Sequence, residues 1–369
     1  MAASIARSFL KRTFIIINSI IALLFLLSCL APYFNPSTWW FMGFLGLMFP
    51  YLAVLLIFSV IFWWVVKPVL SIISIITLLA GFKQFSVLVA VNTNQTYKVK
   101  KDTSQIRILD WNIRSFHGLS NKRDKEKIDR ISIAEAINSR NPDVVCLQEF
   151  NHSNTSDNFS LFTQKYPYHF FSQDFETGNY GYVAGSIIFS KHPILNTGKV
   201  QYPGRNGESL IYADIQTPNS VVRVFTTHLQ SFRFNQNDYE GIDKIKKTQD
   251  EALHASKTLF QKMKLAFIKR GEQAKIVRET LEKSPYPSVV CGDFNDVPNS
   301  YTYFHIKKDW QDSFLEKSLG IGRTFMGVAP TLRIDYILTD TRFTIHQFDM
   351  VDEDLSDHLM LVTDISVNK

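Results

Sequence analysis

No Asp or Glu occurs in the first 101 residues, and long uncharged apolar runs fill most of that stretch. Phe14–Ala31 and Trp39–Val66 are each long enough to cross a bilayer core, which takes about 20 apolar residues. A third run starts at Val69, reaches Phe82 and resumes after Lys83 as FSVLVAV. These runs are apolar all round, unlike helices that bury one stripe against a soluble core. The sequence therefore predicts a membrane segment over 1–92 with three spans at about 14–31, 39–66 and 69–91. Trp39-Trp40 and Trp63-Trp64 bound the second run, as indoles do at headgroup depth. A cleaved signal peptide explains the first run alone, given Arg7, Lys11 and Arg12 before it and Leu-Leu-Ser-Cys at 26–29. It does not explain the two runs behind it.

Basic residues near the spans set the orientation. Arg7, Lys11, Arg12 and Lys67 place the N-terminus and the second loop inside, and the uncharged loop 32–38 outside. Three spans then carry everything after about residue 92 to the outer face, although Lys98, Lys100 and Lys101 oppose this and two spans would leave the domain in the cytosol. The net charge of +6 belongs to the N-terminal third, which holds eight bases. The remainder has 32 bases against 34 acids, which excludes a protein that coats nucleic acid with a globally basic surface. Three cysteines exclude a disulfide-stapled scaffold and contain no metal-type pair. Cys146 and Cys291 read as core thiols in Val-rich strands.

A polar linker, 93–104, leads to one block of about 265 residues, 105–369. Short strand-like runs recur at Gln105–Asn112, Val144–Leu147, Ser186–Phe189, Val221–His228, Ser288–Cys291 and Ile334–Leu338, with helical stretches at Lys125–Ser139 and Asp243–Lys283 between them. This mixture predicts an α/β domain of layered sheets. The charges of Asp243–Lys283 read as a solvated helix face. Arg270 and Gln273, three apart on one helical face, could instead reach a sheet edge.

Five segments share one design, an apolar strand ending in a group able to bind metal or phosphate: IRILDWN to Asn112, DVVCLQE to Glu149, VFTTH to His228, VVCGDFN through Asp293 to Asn295, and Ser356-Asp357-His358. Taken singly, each has a bland reading as a turn carboxylate, a hydrogen-bonded structural histidine or a Gly-Asp-Asn turn. Together they supply hard oxygen donors without thiolates, which suits Mg²⁺. Two histidines beside carboxylates add an acid and a base for water attack on phosphorus.

The ordered set Asn112, Gln148-Glu149, His228, Gly292-Asp293-Phe294-Asn295, Asp335-Tyr336 and Ser356-Asp357-His358 resembles the endonuclease/exonuclease/phosphatase superfamily. That group includes type I deoxyribonuclease, abasic-site endonucleases, neutral sphingomyelinases and inositol-polyphosphate 5-phosphatases. The resemblance runs from about Gln105 to the C-terminus, and the whole chain resembles membrane-anchored bacterial members. It implies a four-layer α/β sandwich of the deoxyribonuclease I kind, preceded by about three transmembrane helices. It implies Mg²⁺, with Mn²⁺ as substitute, held by Glu149 with Asn112 and Asp357. Asp335 would orient His358 as base or phosphate-binding group, Asp293 would activate water, Asn295 would hold a phosphate oxygen and His228 would stabilise or protonate the leaving side. Tyr182 is a candidate for the tyrosine used by some nuclease members. The expected activity is hydrolysis of a phosphodiester, nucleic acid or lipid/small-molecule headgroup, by an enzyme in a bacterial inner membrane with its catalytic domain periplasmic. A catalytically silent phosphate-binding or scaffolding domain is the alternative. Nuclease and lipid readings stand near even: the net −2 domain counts against a basic nucleic-acid stripe but leaves room for a local patch, and membrane anchoring favours a lipid headgroup without requiring one.

Overall fold

The apolar N-terminal runs fold as antiparallel helices, α1 (Ala2–Leu30), α2 (Phe41–Val66), α3 (Pro68–Ala80) and α4 (Phe82–Leu88). This is a computed structural model, which describes residues 2–92, 97–118, 123–178, 180–204, 208–234, 238, 249–327 and 329–368. Phe14 of α1 meets Phe62 of α2 at 5.0 Å between ring centroids, and Phe25 meets Phe49 at 5.1 Å, so the two helices run in opposite directions. The Ser74 hydroxyl donates to Asn18 Oδ1 at 2.9 Å, tying α3 to α1. Two helices, Arg7–Tyr33 and Phe41–Val66, are long and apolar enough to cross a membrane. Their apolar side chains stay largely uncovered, Phe58 at 63% and Trp64 at 65% exposure among them.

The third run is not one straight helix. Gly81 separates α3 from α4, which bend by 58°. A Cβ at Gly81 would sit 2.6 Å from the Phe25 ring, so the break lies where the chain passes closest to α1. The run also ends early: Ala90–Val91 is a short strand paired with Leu319–Gly320, which fastens the helices to the domain. Of the expected linker, 93–96 lie outside the described residues, and the rest is held against a sheet. The Lys98 amide donates to Gln347 Oε1, and the Arg107 guanidinium donates to the carbonyls of Lys98 and Val99.

Beyond it, short apolar segments buried on both faces build two facing sheets. One has seven strands: Phe343–Val351, Met360–Val367, Ile106–Asn112, Val144–His152, Tyr182–Ser190 and Tyr168–Phe171 in that order, with Phe175–Thr177 also on Tyr182–Ser190. The other has six: Gln311–Asp312, Asp335–Thr339, Ser288–Asp293, Val221–His228, Ser209–Gln216 and Ile194–Gln201. Ile108, Val144, Cys146 and Ile188 pack between the sheets against Ile211, Val224, Val289 and Cys291. All three cysteines are buried and unpaired. Helix α5 (Arg123–Ser139) covers the outer face of the first sheet through Ile133 and Ile137. The long helix Gln249–Glu282 covers the second through Ala274, Val277 and Leu281. The result is the expected four-layer α/β/β/α sandwich.

The long helix decides between the two readings of its charges. Residues 243–248 of the predicted stretch lie outside the described residues. Within the helix, Arg270 and Gln273 are not on a solvated face but are 0% and 3% exposed. Arg270 donates to the Gln230 carbonyl at 2.9 Å and pairs with Asp296 at 3.3 Å, while Gln273 accepts from the Gln230 amide. Burying an arginine is tolerable only with such partners. Here the pair clamps the segment leaving strand Val221–His228 to the loop after strand Ser288–Asp293.

The candidate active site

Strand register assembles the site. In the second sheet Ser288–Asp293 lies parallel to Val221–His228 and antiparallel to Asp335–Thr339, with Asp293 level with His228 on one side and with Asp335 on the other. Three functional side chains thus stand in one row because cross-strand neighbours share a face. Gly292 permits this register. Its φ is +136°, and a Cβ there would lie 2.0 Å from the Thr227 carbonyl oxygen of the neighbouring strand.

The other sheet contributes from its facing edge. Asn112 ends its strand level with Gln148. One residue later the register slips, and Glu149 adopts φ +57°. A left-handed conformation costs a non-glycine residue about 1–3 kcal/mol, and such bulges re-aim a side chain beside a site. Asn112 bridges the two sheets: its amide donates to Glu149 Oε1 at 3.3 Å and to Asp293 Oδ2 at 3.2 Å. The Ser115 hydroxyl donates to Glu149 Oε2 at 3.3 Å. These are long contacts, and no ion pair neutralises Glu149 among the described residues. A carboxylate so weakly satisfied, beside an amide and the Asp293 carboxylate, has the donor chemistry of a hard divalent cation.

His358 completes the row. Its Nδ1 lies 3.0 Å from both Asp335 oxygens and its Nε2 3.8 Å from Asp293 Oδ2. The Ser356 hydroxyl donates to the Asn112 carbonyl at 2.7 Å and accepts from the His358 amide, and the Trp111 indole donates to the His358 carbonyl. The His358 backbone is thereby fixed against the end of strand Ile106–Asn112. Burial disfavours charge on His358, but Asp335 and then Asp293 outweigh it and hold its pKa up, to about 10. Asp293 is pushed up to about 6 by burial and by the Asp335 charge, against the pull of His358 and His228. His228 Nε2 sits 3.5 Å from Asp293 Oδ2 and stays more basic than usual: burial opposes its charge, but Asp293, Glu149 and Glu208 prevail. Asp293, Asp335 and His358 bring ligand-type atoms within 4.8 Å of one another.

Asn295, at φ +53°, donates both its backbone amide and its side-chain amide to Asp293, and the side chain also reaches the Leu229 carbonyl. Its amide hydrogens hold Asp293 in place. Asp357 stands 3.6 Å from Arg114 at the rim. Tyr182 lies close enough to Glu149 for that charge, after burial, to raise its pKa, but it does not line the cleft. The cleft itself encloses about 690 Å³ and exposes Asn112, Glu149, His228, Asp293, Asn295 and His358 along one wall.

The sequence profile of the endonuclease/exonuclease/phosphatase family matches residues 111–358. The chain belongs to that family. Membership makes it a hydrolase acting on phosphoric ester bonds, in a family whose members typically use a divalent metal. A domain of unknown function matches residues 11–88, which comprise most of the four N-terminal helices. No curated protein matches the sequence. An endonuclease/exonuclease/phosphatase from Beutenbergia cavernae superposes with TM-score 0.51 at 20% identity, covering 72% of each chain. Family proteins from Leptotrichia buccalis and Bacteroides vulgatus superpose with TM-score 0.50 at 15% and 16% identity, covering 71% and 72% of this chain and 99% of each of theirs. At such identities the likeness speaks to the shared fold.

In this endonuclease/exonuclease/phosphatase domain, sequence reasoning missed Ser115, Arg114 and Asp110, the last being the buried partner of Gln148, which the motif set named without a role. Gln148 donates to Asp110 Oδ1 and Thr226 beneath the site, and burial raises the Asp110 carboxyl well above its usual range. The polar ends of adjacent buried strands were the available signal. Nothing in the sequence marked Leu47 and Tyr51 of α2, which also line the cleft.

Proposed function

We propose that the protein is a membrane-anchored, divalent-metal-dependent phosphodiesterase. The observation that carries this reading is the single row His228–Asp293–Asp335, with His358 above it and the weakly satisfied Glu149 joined to Asp293 through Asn112. Glu149, with Asn112 beside it, would hold Mg²⁺ or Mn²⁺, and Asp357 would support the site from the rim. The bound cation would offset charge on the non-bridging phosphoryl oxygens. Asp293, kept in place by Asn295, is poised to take the proton of the attacking water. His358, charged through Asp335, binds a phosphoryl oxygen. His228 faces the leaving side, where it can protonate the departing oxygen. One P–O bond forms from water as the other breaks, and the water's second hydrogen stays on the product phosphate.

The helices support the anchoring. The loop between α1 and α2 touches the catalytic domain, with Asn35 donating to the Gly271 carbonyl and Tyr33 packed on Phe304. The end of α4 touches it too, as Arg333 donates to the Val87 carbonyl. Arg7, Lys11, Arg12 and Lys67 lie toward the opposite ends of the helices. Three crossings, the third bent at Gly81, put the domain on the side opposite the N-terminus, which the basic residues make the outer side.

The test is hydrolysis of bis-p-nitrophenyl phosphate by the full-length protein, with Mg²⁺ or Mn²⁺ against EDTA. Metal-dependent turnover abolished by Glu149→Ala and by His358→Ala is expected. Turnover unaffected by EDTA, or retained in both variants, would overturn the assignment.

A further inference from the structure

The cleft is larger than a phosphate needs, and its two halves differ in chemistry. Besides the polar groups it is lined by Leu47, Tyr51, Phe232, Met263, Phe267 and Leu332. Leu47 and Tyr51 stand four residues apart on one face of α2, which further along exposes Leu55, Phe58 and Phe62. One helix therefore lines the catalytic cleft and also presents the uncovered apolar surface suited to a bilayer.

Glycines seat that helix. A Cβ at Gly43 would lie 2.4 Å from the Phe267 ring, and one at Gly46 would lie 2.4 Å from the Asn299 carbonyl oxygen. Phe44 stacks on Phe260 at 5.0 Å, and the Tyr51 hydroxyl meets Thr331 Oγ1 at 3.2 Å. The wall is thus a docked surface. Leu47 lies roughly 10 Å along α2 from Trp40 at 1.5 Å per residue. Nucleic acid would need basic side chains along the cleft, but the two arginines that line it among the described residues stand beside carboxylates, Arg114 by Asp357 and Arg233 by Glu208 at 4.0 Å.

We propose that the apolar half of the cleft, walled by α2, receives the hydrocarbon chain of a membrane phosphodiester, so that the enzyme takes a lipid-type substrate from its own bilayer. This rests on the phosphodiesterase reading above. Water attacks phosphorus, the P–O bond to the leaving alcohol breaks, that alcohol takes up a proton, and the chain-bearing phosphate remains as monoester.

The experiment uses full-length protein in lipid nanodiscs with Mg²⁺ and two chromogenic diesters sharing a leaving group, hexadecyl and ethyl p-nitrophenyl phosphate. The hexadecyl ester is expected to give at least tenfold higher kcat/KM. That ratio should fall at least tenfold in Leu47→Asp and, on a separate helix, in Met263→Asp. Equal kcat/KM for the two esters overturns the proposal. So does a preference unchanged in both variants, since partitioning into the disc would then explain it. Faster cleavage of single-stranded DNA than of the hexadecyl ester assigns the cleft to nucleic acid instead. Turnover of neither ester by folded protein refutes the underlying phosphodiesterase reading, a separate failure.

Discussion

Replacing Gly292 by alanine should damage stability and catalysis together, and the structure separates the two causes. The first is conformational: φ +136° is open to glycine and strained for any other residue. Such strain costs about 1–3 kcal/mol. The second is steric, because the new Cβ would meet the Thr227 carbonyl at 2.0 Å, and overpacking costs about 1–3 kcal/mol more. Gly320 isolates the first cause, with φ +98° and nothing within 4 Å of the place a new methyl would take. For a domain of this size each kcal/mol shifts Tm by about 2–4 °C. Gly320→Ala should therefore lower Tm by about 2–12 °C and Gly292→Ala by about 4–24 °C, always the larger of the two. Relief of the clash moves strand Ser288–Asp293 away from Val221–His228, and with it the 3.5 Å approach of Asp293 to His228. A displacement near 1 Å costs roughly 100-fold in kcat. Thermal unfolding of the full-length protein and initial rates on a chromogenic diester measure both. The reasoning fails if Gly292→Ala loses no more Tm than Gly320→Ala and keeps kcat within threefold.

Glu149→Gln should weaken Mg²⁺ binding at least tenfold by calorimetric titration while leaving Tm nearly unchanged, since its present hydrogen bonds are long. Wild-type activity should rise with pH through about 6 as Asp293 loses its proton. Asp335→Asn should cut kcat by about 10²–10³-fold through the lost His358 partner. It should also shift that acid limb to lower pH, because the charge that repels Asp293 is gone; a limb that stays or moves up would contradict the coupling. Arg107→Met leaves Asp364 buried without its partner at 2.7 Å and should cost about 3–5 kcal/mol in denaturant unfolding. Adding Asp364→Leu should recover much of it.

The polar strand ends were legible because each lies at a fixed place in an apolar run: Asn112, His228 and Asp293 all fall where the sequence changes character. The register that aligns Asp293 with His228 and Asp335 was not, since pairing is decided by contacts far apart in the chain. Glu149 was found by its motif, but its left-handed turn follows from a slip between strands that no local pattern encodes. The charges of the long helix left two readings open for the same reason. Spacing set Arg270 and Gln273 apart as able to turn inward, and only the placing of Gln230 and Asp296 around them decides it. Apolar runs 14–31 and 39–66 gave the first two helices, whereas Gly81 and the Ala90–Val91 pairing broke the third. Leu47 and Tyr51 stayed invisible, because in an apolar helix nothing marks which residues meet protein and which meet lipid.

The row His228–Asp293–Asp335 has a consequence for how the protein matures. Side chains alternate along each strand, so a slip of one residue turns a strand's functional group to the opposite face. The ladder that holds the second sheet is therefore also the gauge that sets the reacting groups. A copy that pairs one residue out of step retains most of its backbone hydrogen bonds yet points an acid or an imidazole into the core. Such a copy carries a desolvated charge and no working cleft, so misassembly is silenced by the same geometry that makes the correct form competent.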